Sequence, residues 1–326
     1  MSLKQLQTNM PQLSDRLTNT LTTLGGATAC YFGVQLARHI WRYTRPSSLP
    51  RYNPPGKDAW ALVTGATGGI GLAFARDLCR RGFNVFLHGR NKEKLIRIQK
   101  DLAGEFPAIK TKIIVYDTMA INDAGSNMDG VFTQAIGNAP LTVLINNVGG
   151  SVTHFRNLGE MTYAEVNDTI SFNATFMTQV TRLLLPLLQK NGPGLVLSIS
   201  SATAYGMPWL GPYSGTKGYV DSFSRSLQAE TTANGMDIEV LGIRVGNTQS
   251  QGNTVATGLF TPSAKAVAGA ALNRVGCDGP VVWGHWMQGL QGLSFDWMPR
   301  GLLMSMVSQK IAAIKREWEE QDAKRE

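Results

Sequence analysis

Cysteine is scarce: Cys30, Cys79 and Cys277 stand far apart, with no CxxC pair among them. That excludes a disulfide framework and a cysteine zinc cage, and it suits a reducing compartment. The four histidines are isolated, so no metal site is expected. Charge is thin too, at 17% of residues, while apolar residues make up 43%. Intrinsic disorder needs the opposite balance. The 35 glycines follow no period of three, which excludes collagen. With no internal repeat, 326 residues leave room for one large α/β domain or two small ones.

The net charge of +8 is unevenly placed: residues 1–58 hold seven Lys/Arg against two Asp. Neither aromatic-basic interleaving nor a recognition-helix pattern accompanies them, so no nucleic-acid partner is expected. An anionic membrane surface suits the arm better. Residues 17–41 approach the ~20 apolar residues of a spanning helix, but Asn19, several Thr and Arg38 dilute them. No small-residue cleavage site succeeds the stretch, so a cleaved secretory signal is not expected. If the stretch inserts, Arg38, Arg42, Arg45 and Arg51 keep the downstream chain in the cytosol. Two readings stand for it: a membrane-associated arm, or a helix packed on the domain or on a second subunit. Pro46, Pro50, Pro54 and Pro55 then read as a linker. We therefore separate an arm over 1–57 from a catalytic domain over 58–300 and a tail over 301–326.

Past Asp58, short apolar runs at 59–63, 84–88, 112–116, 141–145, 194–199 and 237–244 alternate with helix-length segments. Strands that are apolar almost throughout belong to a parallel sheet covered on both faces. The expected fold is a single-domain α/β, Rossmann-type, doubly wound parallel sheet.

The first strand runs into Thr64-Gly65-Ala66-Thr67-Gly68-Gly69-Ile70-Gly71. Such a turn brings backbone N–H groups close to a pyrophosphate at a helix N-terminus. Gly65, Thr67, Gly69, Ile70 and Gly71 are thus candidate cofactor contacts, although glycines can also serve close strand–helix packing alone. The second strand closes in His88-Gly89-Arg90-Asn91-Lys92, with no carboxylate for a ribose hydroxyl. Arg90 can clamp a 2′-phosphate bidentately, which favours NADPH/NADP+ over NAD. The alternative is that Arg90 and Lys92 begin a solvated helix. Asp117, closing the third strand, can meet the adenine edge or cap a turn.

The fourth strand leads into Asn146-Asn147-Val148-Gly149-Gly150, where Asn146 is a candidate contact and the glycines leave room for the nicotinamide ribose. The fifth delivers Ser198-Ile199-Ser200-Ser201, and Tyr213-Ser214-Gly215-Thr216-Lys217 comes next. Tyr213 and Lys217, at i and i+4, share a helix face. An ammonium near a phenol lowers its pKa from about 10 and suits it to exchange a proton with a carbonyl oxygen. Ser201 can polarise the same oxygen. Each piece alone has a dull explanation; in order at the carboxyl ends of successive strands, they form a site.

In these motifs the chain resembles short-chain dehydrogenase/reductases, over about residues 58–285. TGATGGIG resembles the family's cofactor turn, NNVG its NNAG motif, and Ser201, Tyr213 and Lys217 its catalytic residues. The resemblance implies that Asn173, in Ser171-Phe172-Asn173-Ala174, helps hold a proton-relay water. It also implies a homodimer through the helices carrying Asn173 and Tyr213. Arg45-Pro46, Arg51-Tyr52, the NNVG spelling, Met177-Thr178-Gln179, Leu185-Pro186 and the run 213–224 are similar to membrane-bound 17β-hydroxysteroid dehydrogenases and very-long-chain 3-oxoacyl-CoA reductases. That subgroup implies NADPH use and a place on the cytosolic face of the endoplasmic reticulum membrane. One departure stands out: Arg244-Val245-Gly246-Asn247-Thr248 replaces the usual Pro-Gly turn, with Thr248 still a candidate cofactor contact.

Residues 248–300 come after the last catalytic strand and are expected to form the substrate lid, with Thr261-Pro262-Ser263-Ala264 opening an Ala-rich helix. Trp283, Trp286, Met287, Leu290, Leu293, Phe295, Trp297 and Met298 either pack as core or dimer contacts or form an apolar rim for a lipophilic substrate. From Gly301, apolar residues recur at helical spacing, as in an amphipathic helix that lies on a bilayer or a partner. The expected activity is hydride transfer from NADPH to the ketone of a lipophilic substrate, or the reverse from its alcohol. Two alternatives are a soluble, cytoplasmic secondary-metabolism ketoreductase and a non-catalytic nucleotide-binding scaffold.

Overall fold

The computed structural model describes residues 3–123, 125–151, 155–251, 253 and 255–322. The last four residues of the tail, 323–326, lie outside them. The chain divides into two compact units, Met1–Pro46 and Ser47–Glu326.

The first unit is a single helix, α1 (Leu3–Thr44), which runs unbroken through Gly25 and Gly26. Leu17, Leu21, Leu24, Tyr31, Phe32, Leu36 and Trp41 are exposed along it. No helix among the described residues is long and apolar enough to cross a membrane. Thr, Asn, Gln and Arg are interleaved with the apolar residues of 17–41.

The second unit opens on residues 47–57, which the prolines suggest are linker. In the fold they are anchored: Tyr52 is fully buried, and its hydroxyl donates to Glu239 Oε2 at 2.6 Å. Then come β1 (Trp60–Val63), α2 (Gly69–Arg80), β2 (Asn84–Gly89), α3 (Lys92–Glu105), β3 (Thr111–Val115), α4 (Met128–Ile136) and β4 (Leu141–Asn146). Next are α5 (Tyr163–Ile170), a π-helical turn (Ser171–Thr175), α6 (Phe176–Asn191), β5 (Gly194–Ser201), α7 (Gly211–Ala233) and β6 (Ile238–Val245). The chain closes with α8 (Ala264–Leu272), β7 (Val281–Trp283), α9 (Trp286–Trp297) and α10 (Arg300–Asp322).

The seven strands form one sheet in the order β3-β2-β1-β4-β5-β6-β7, parallel throughout. Successive side chains point to opposite faces, and both faces are covered. Ala61, Val63, Val85, Leu87, Val143 and Ile145 pack with residues of α2, α3 and α8. Leu62, Phe86, Leu144, Val196 and Val240 pack with residues of α4, α6 and α7. This is why the strands lack polar alternation. Chain order reverses between β1 and β4, opening a crevice at the strand carboxyl ends.

One feature departs from the sequence reading and two refine it. β7 is a seventh strand, missed because three residues carry too little pattern. Trp283 and Met287 of the aromatic run are buried, whereas Trp286, Leu290 and Trp297 are exposed, so the run is divided between packing and surface. On α10, Leu303 and Ile311 are buried while Leu302, Met306 and Ile314 are exposed. Ser263 caps α8 as expected, accepting from the Ala266 N–H.

Candidate active site

At the end of β1 the chain turns through Gly65 (φ 68°) and Gly69 (φ 54°), left-handed backbone that glycine adopts at no steric cost. Gly71 is required for another reason. A Cβ there would lie 2.1 Å from the Gly65 carbonyl oxygen and 2.5 Å from Asn147 Nδ2. A Cβ on Gly89 would lie 2.6 Å from Thr67 Cγ2. The N-cap of α2, Gly68, has no side-chain cap, so the helix presents bare N–H groups with Thr67 and Ile70 half-buried beside them. This surface fits a dinucleotide pyrophosphate.

Neighbouring strands hold the turn. Asn147 Nδ2 donates to the Thr64 carbonyl at 3.0 Å, and Thr64 Oγ1 accepts from the N–H groups of Asn147 (2.9 Å) and Val148 (3.1 Å). His88 Nδ1 accepts from the Gly65 N–H at 3.4 Å. Burial between Phe132 and Phe176 pushes the His88 pKa down to about 4, so the ring is neutral and its Nδ1 stays an acceptor.

The remaining cofactor candidates divide. Arg90 is exposed at the end of β2 and makes no ion pair among the described residues, while Asn91 caps α3 by accepting from Lys94 N–H at 2.7 Å. Thr248 is buried, its hydroxyl donating to the Gly246 carbonyl. Asp117 caps a short turn, accepting from Met119 N–H at 3.1 Å. Asn146 is buried, and its Nδ2 donates to Thr181 Oγ1 (2.9 Å) and Ser198 Oγ (3.2 Å). Its amide thus ties β4 to β5 and α6, and it is Asn147 that reaches the glycine turn.

At the other end of the crevice, β5 delivers Ser201, and α7 carries Tyr213 and Lys217. Ser201 Oγ accepts from the Thr203 N–H at 3.1 Å, and the Ser201 side chain lies close enough to the Tyr213 phenol to favour its ionised form. Lys217 is buried; its Nζ donates to the Ile199 carbonyl at 3.0 Å and lies 5.6 Å from the Tyr213 ring centroid. Asn173 arrives on the π turn, which sequence periodicity does not announce. Its Oδ1 accepts from Gly150 N–H at 2.9 Å, and its Nδ2 donates to the carbonyls of Gly150 (2.8 Å) and Thr169 (2.9 Å). A Cβ on Gly149 would lie 2.7 Å from Lys217 Nζ and 2.8 Å from Asn173 Oδ1. Both side chains therefore face the same point, and the fold brings Asn173, Ser201, Tyr213 and Lys217 together.

The electrostatics correct one expectation. Burial raises the Tyr213 pKa despite the Ser201 side chain that lowers it; it does not fall under the influence of Lys217. Burial also pushes Lys217 down to about 8, against the opposing charge of Asp221. A half-buried phenol that has lost part of its hydration resists ionisation, so Tyr213 is held in its protonated form.

Residues 59–257 match the short chain dehydrogenase family. The chain belongs to that family. A very-long-chain 3-oxoacyl-CoA reductase-like protein of Arabidopsis thaliana is 33% identical over 263 residues, covering 76% of this chain and 80% of that protein. Very-long-chain 3-oxoacyl-CoA reductase-B of Danio rerio is 37% identical over 196 residues, 59% of this chain and 60% of its own length. The Kluyveromyces lactis very-long-chain 3-oxoacyl-CoA reductase is 34% identical over 228 residues, and the match spans 68% of this chain and 64% of that protein. Among solved structures, this short-chain dehydrogenase is similar in fold to a 7beta-hydroxysteroid dehydrogenase (TM-score 0.67, 18% identity, 79% of this chain and 98% of the other). It is also similar to a short-chain dehydrogenase from Sphingobium yanoikuyae in complex with NADPH (TM-score 0.61, 23% identity, 75% and 95%).

Sequence reasoning missed Asp221, Tyr205 and Arg244 as parts of the site's surroundings. Asp221 had a legible signal, its place four residues after Lys217; the other two are joined to it only by the fold.

Proposed function

We propose that the protein is an NADPH-dependent reductase of ketones on lipophilic substrates, with 3-oxoacyl thioesters as the first class to test. The observation that carries this reading is the convergence of Ser201, Tyr213, Lys217 and Asn173 beside a glycine-lined crevice. The relatives' 3-oxoacyl-CoA reductase names favour the thioester over a steroid.

NADPH supplies the hydride when bound, and Gly65, Gly69, Gly71 and the α2 N-terminus are the surface that would hold its pyrophosphate. Arg90, free of any acidic partner among the described residues, would meet a 2′-phosphate. Ser201 and Tyr213 donate hydrogen bonds to the substrate carbonyl oxygen, and Tyr213 gives up its proton as negative charge builds there. Lys217 stays largely cationic at neutral pH with its pKa near about 8 and stabilises the phenolate that the transfer leaves behind. Asn173, fixed by Gly150 and Thr169, holds the neighbouring polar point from which a proton returns, relayed through Lys217, to the Tyr213 phenolate.

The test is NADPH oxidation against 3-oxoacyl-CoA esters and lipophilic ketones of graded length, with NADH as control. Turnover that rises with chain length and prefers NADPH is expected. Binding of NADPH without turnover across the panel would instead establish a nucleotide-binding scaffold.

The surfaces favour two associations. α1 exposes apolar residues next to Arg38 and Arg42, which suits a helix lying on an anionic membrane surface; we assign it to the cytosolic face of the endoplasmic reticulum. An apolar groove of about 560 Å³, lined by Ile170, Ala174, Thr178, Pro212, Gly215 and Tyr219 among others, lies on the helices that carry the site. Neither Ser201, Tyr213 nor Lys217 lines it, so we assign it to a second copy of the chain rather than to substrate. Deleting residues 1–45 is expected to move the protein from the membrane fraction to the soluble one as a dimer. Retention on membranes, or sedimentation as a monomer, would overturn the respective assignment.

A further inference from the structure

The proposed reaction leaves Arg244 unused, although it stands near the carboxyl end of β6 where the resemblance leads one to expect a Pro-Gly turn. Its side chain is only 18% exposed, and that of Asp221 only 5%. Arg244 Nε and Nη2 each meet Asp221 Oδ2 at 2.8 Å. Nη1 donates to the Tyr205 hydroxyl at 2.9 Å, and the guanidinium carbon lies 4.8 Å from that ring's centroid. The Tyr205 hydroxyl in turn donates to Asp296 Oδ1 at 2.6 Å.

Each partner belongs to a different working part. Asp221 lies one turn beyond Lys217 on α7. Tyr205 closes the short turn that starts after Ser201. Asp296 sits in the last turn of α9, inside the segment beyond the catalytic strands. The Tyr205 ring also stacks on Trp283 (centroids 6.5 Å apart) and meets Phe295 edge-on at 5.9 Å. The opposite end of α9 has its own anchor: Gln288 Oε1 accepts from Gly246 N–H at 3.1 Å, and its Nε2 donates to the Asn247 carbonyl at 2.9 Å. The helix is therefore pinned at both ends, and Arg244 governs the second pin. Only a guanidinium can serve both partners, because its donors fork in fixed directions whereas an ammonium is a point charge.

We propose that Arg244 is a positioning residue that, through Asp221 on one side and Tyr205 and Asp296 on the other, clamps the lid helix α9 to the helix bearing Lys217 and so sets the reach available to long acyl substrates. The inference rests on the reductase reading for its substrate, but the clamp itself is tested without turnover.

Two variants of the full chain separate the possibilities. Tyr205→Phe removes one hydroxyl and keeps the ring packing; Arg244→Lys keeps the charge beside Asp221 and loses the fork. Hydrogen exchange across 286–297 is expected to quicken about fivefold in both, most at the Asp296 end. The NADPH dissociation constant is expected to stay within about twofold of wild type. With a C16 3-oxoacyl-CoA, KM is expected to rise about fivefold at nearly constant kcat, with little change for the C4 thioester. A merely structural role would lower thermal stability without this dependence on chain length. Wild-type exchange over α9 in both variants, or equal KM changes for both thioesters, overturns the proposal. If the wild type reduces neither thioester, the reductase reading falls, while the exchange measurement still decides the clamp.

Discussion

Replacing Tyr213 with Phe is expected to lower kcat by about 1,000-fold, within the range that a positioned acid contributes, while the protein stays folded. The nearest polar group affecting the phenol is the Ser201 side chain, so losing the hydroxyl disturbs little of the packing and costs about 1 kcal/mol. The glycine turn at the far end of the crevice is untouched, and NADPH affinity should change by no more than about twofold. The measurements are single-turnover NADPH oxidation and titration of NADPH fluorescence on the same preparation. Turnover near wild type in a folded Tyr213→Phe protein would remove Tyr213 as the acid. Retained turnover also in Ser201→Ala would move the reaction to another part of the crevice.

Gly71→Val is the second large effect, and it acts at the opposite end. The Cβ site at Gly71 lies 2.1 Å from a backbone oxygen, Gly65 O, which no side-chain rotation can relieve. Either α2 moves off the turn or the turn opens, at a cost of about 3 kcal/mol, the upper end for overpacking. The displaced atoms are the ones proposed to receive a pyrophosphate, so NADPH affinity should fall on the order of 100-fold. Calorimetric melting and NADPH titration check the two parts separately. Gly69→Ala is the milder control, because its Cβ would meet only Ser250, with Cβ at 3.5 Å, leaving the strain of φ 54° as the main cost. Equal losses in the two variants would show that backbone strain, rather than the clash, sets the effect.

Much of this was legible in the residues. The central strands announced themselves because a sheet covered on both faces is apolar almost throughout, and the two sheet-face clusters show that burial directly; β3, at the edge, buries only Ile114. The glycine turn, Ser201, Tyr213 and Lys217 were legible because strand ends and helix faces are local geometry: a residue closing a strand lies at its carboxyl edge, and residues four apart on a helix lie side by side. Asn173 was named from the family resemblance, since the π turn that presents it leaves no mark on apolar spacing. Asn146 and Asn147 could not be told apart in sequence. Neighbours on a strand point to opposite faces, and only the packed sheet shows which amide meets Gly65.

By itself, then, the sequence determined the parallel α/β architecture and the order of motifs along the crevice, because both arise from short-range periodicity. Tertiary structure alone decided that the Tyr213 phenol is held protonated, that Lys217 is drawn down by burial, and that Arg244 joins Asp221 to Tyr205. Those properties depend on desolvation and on contacts between β6, α7 and the segments around α9, which lie far apart along the chain.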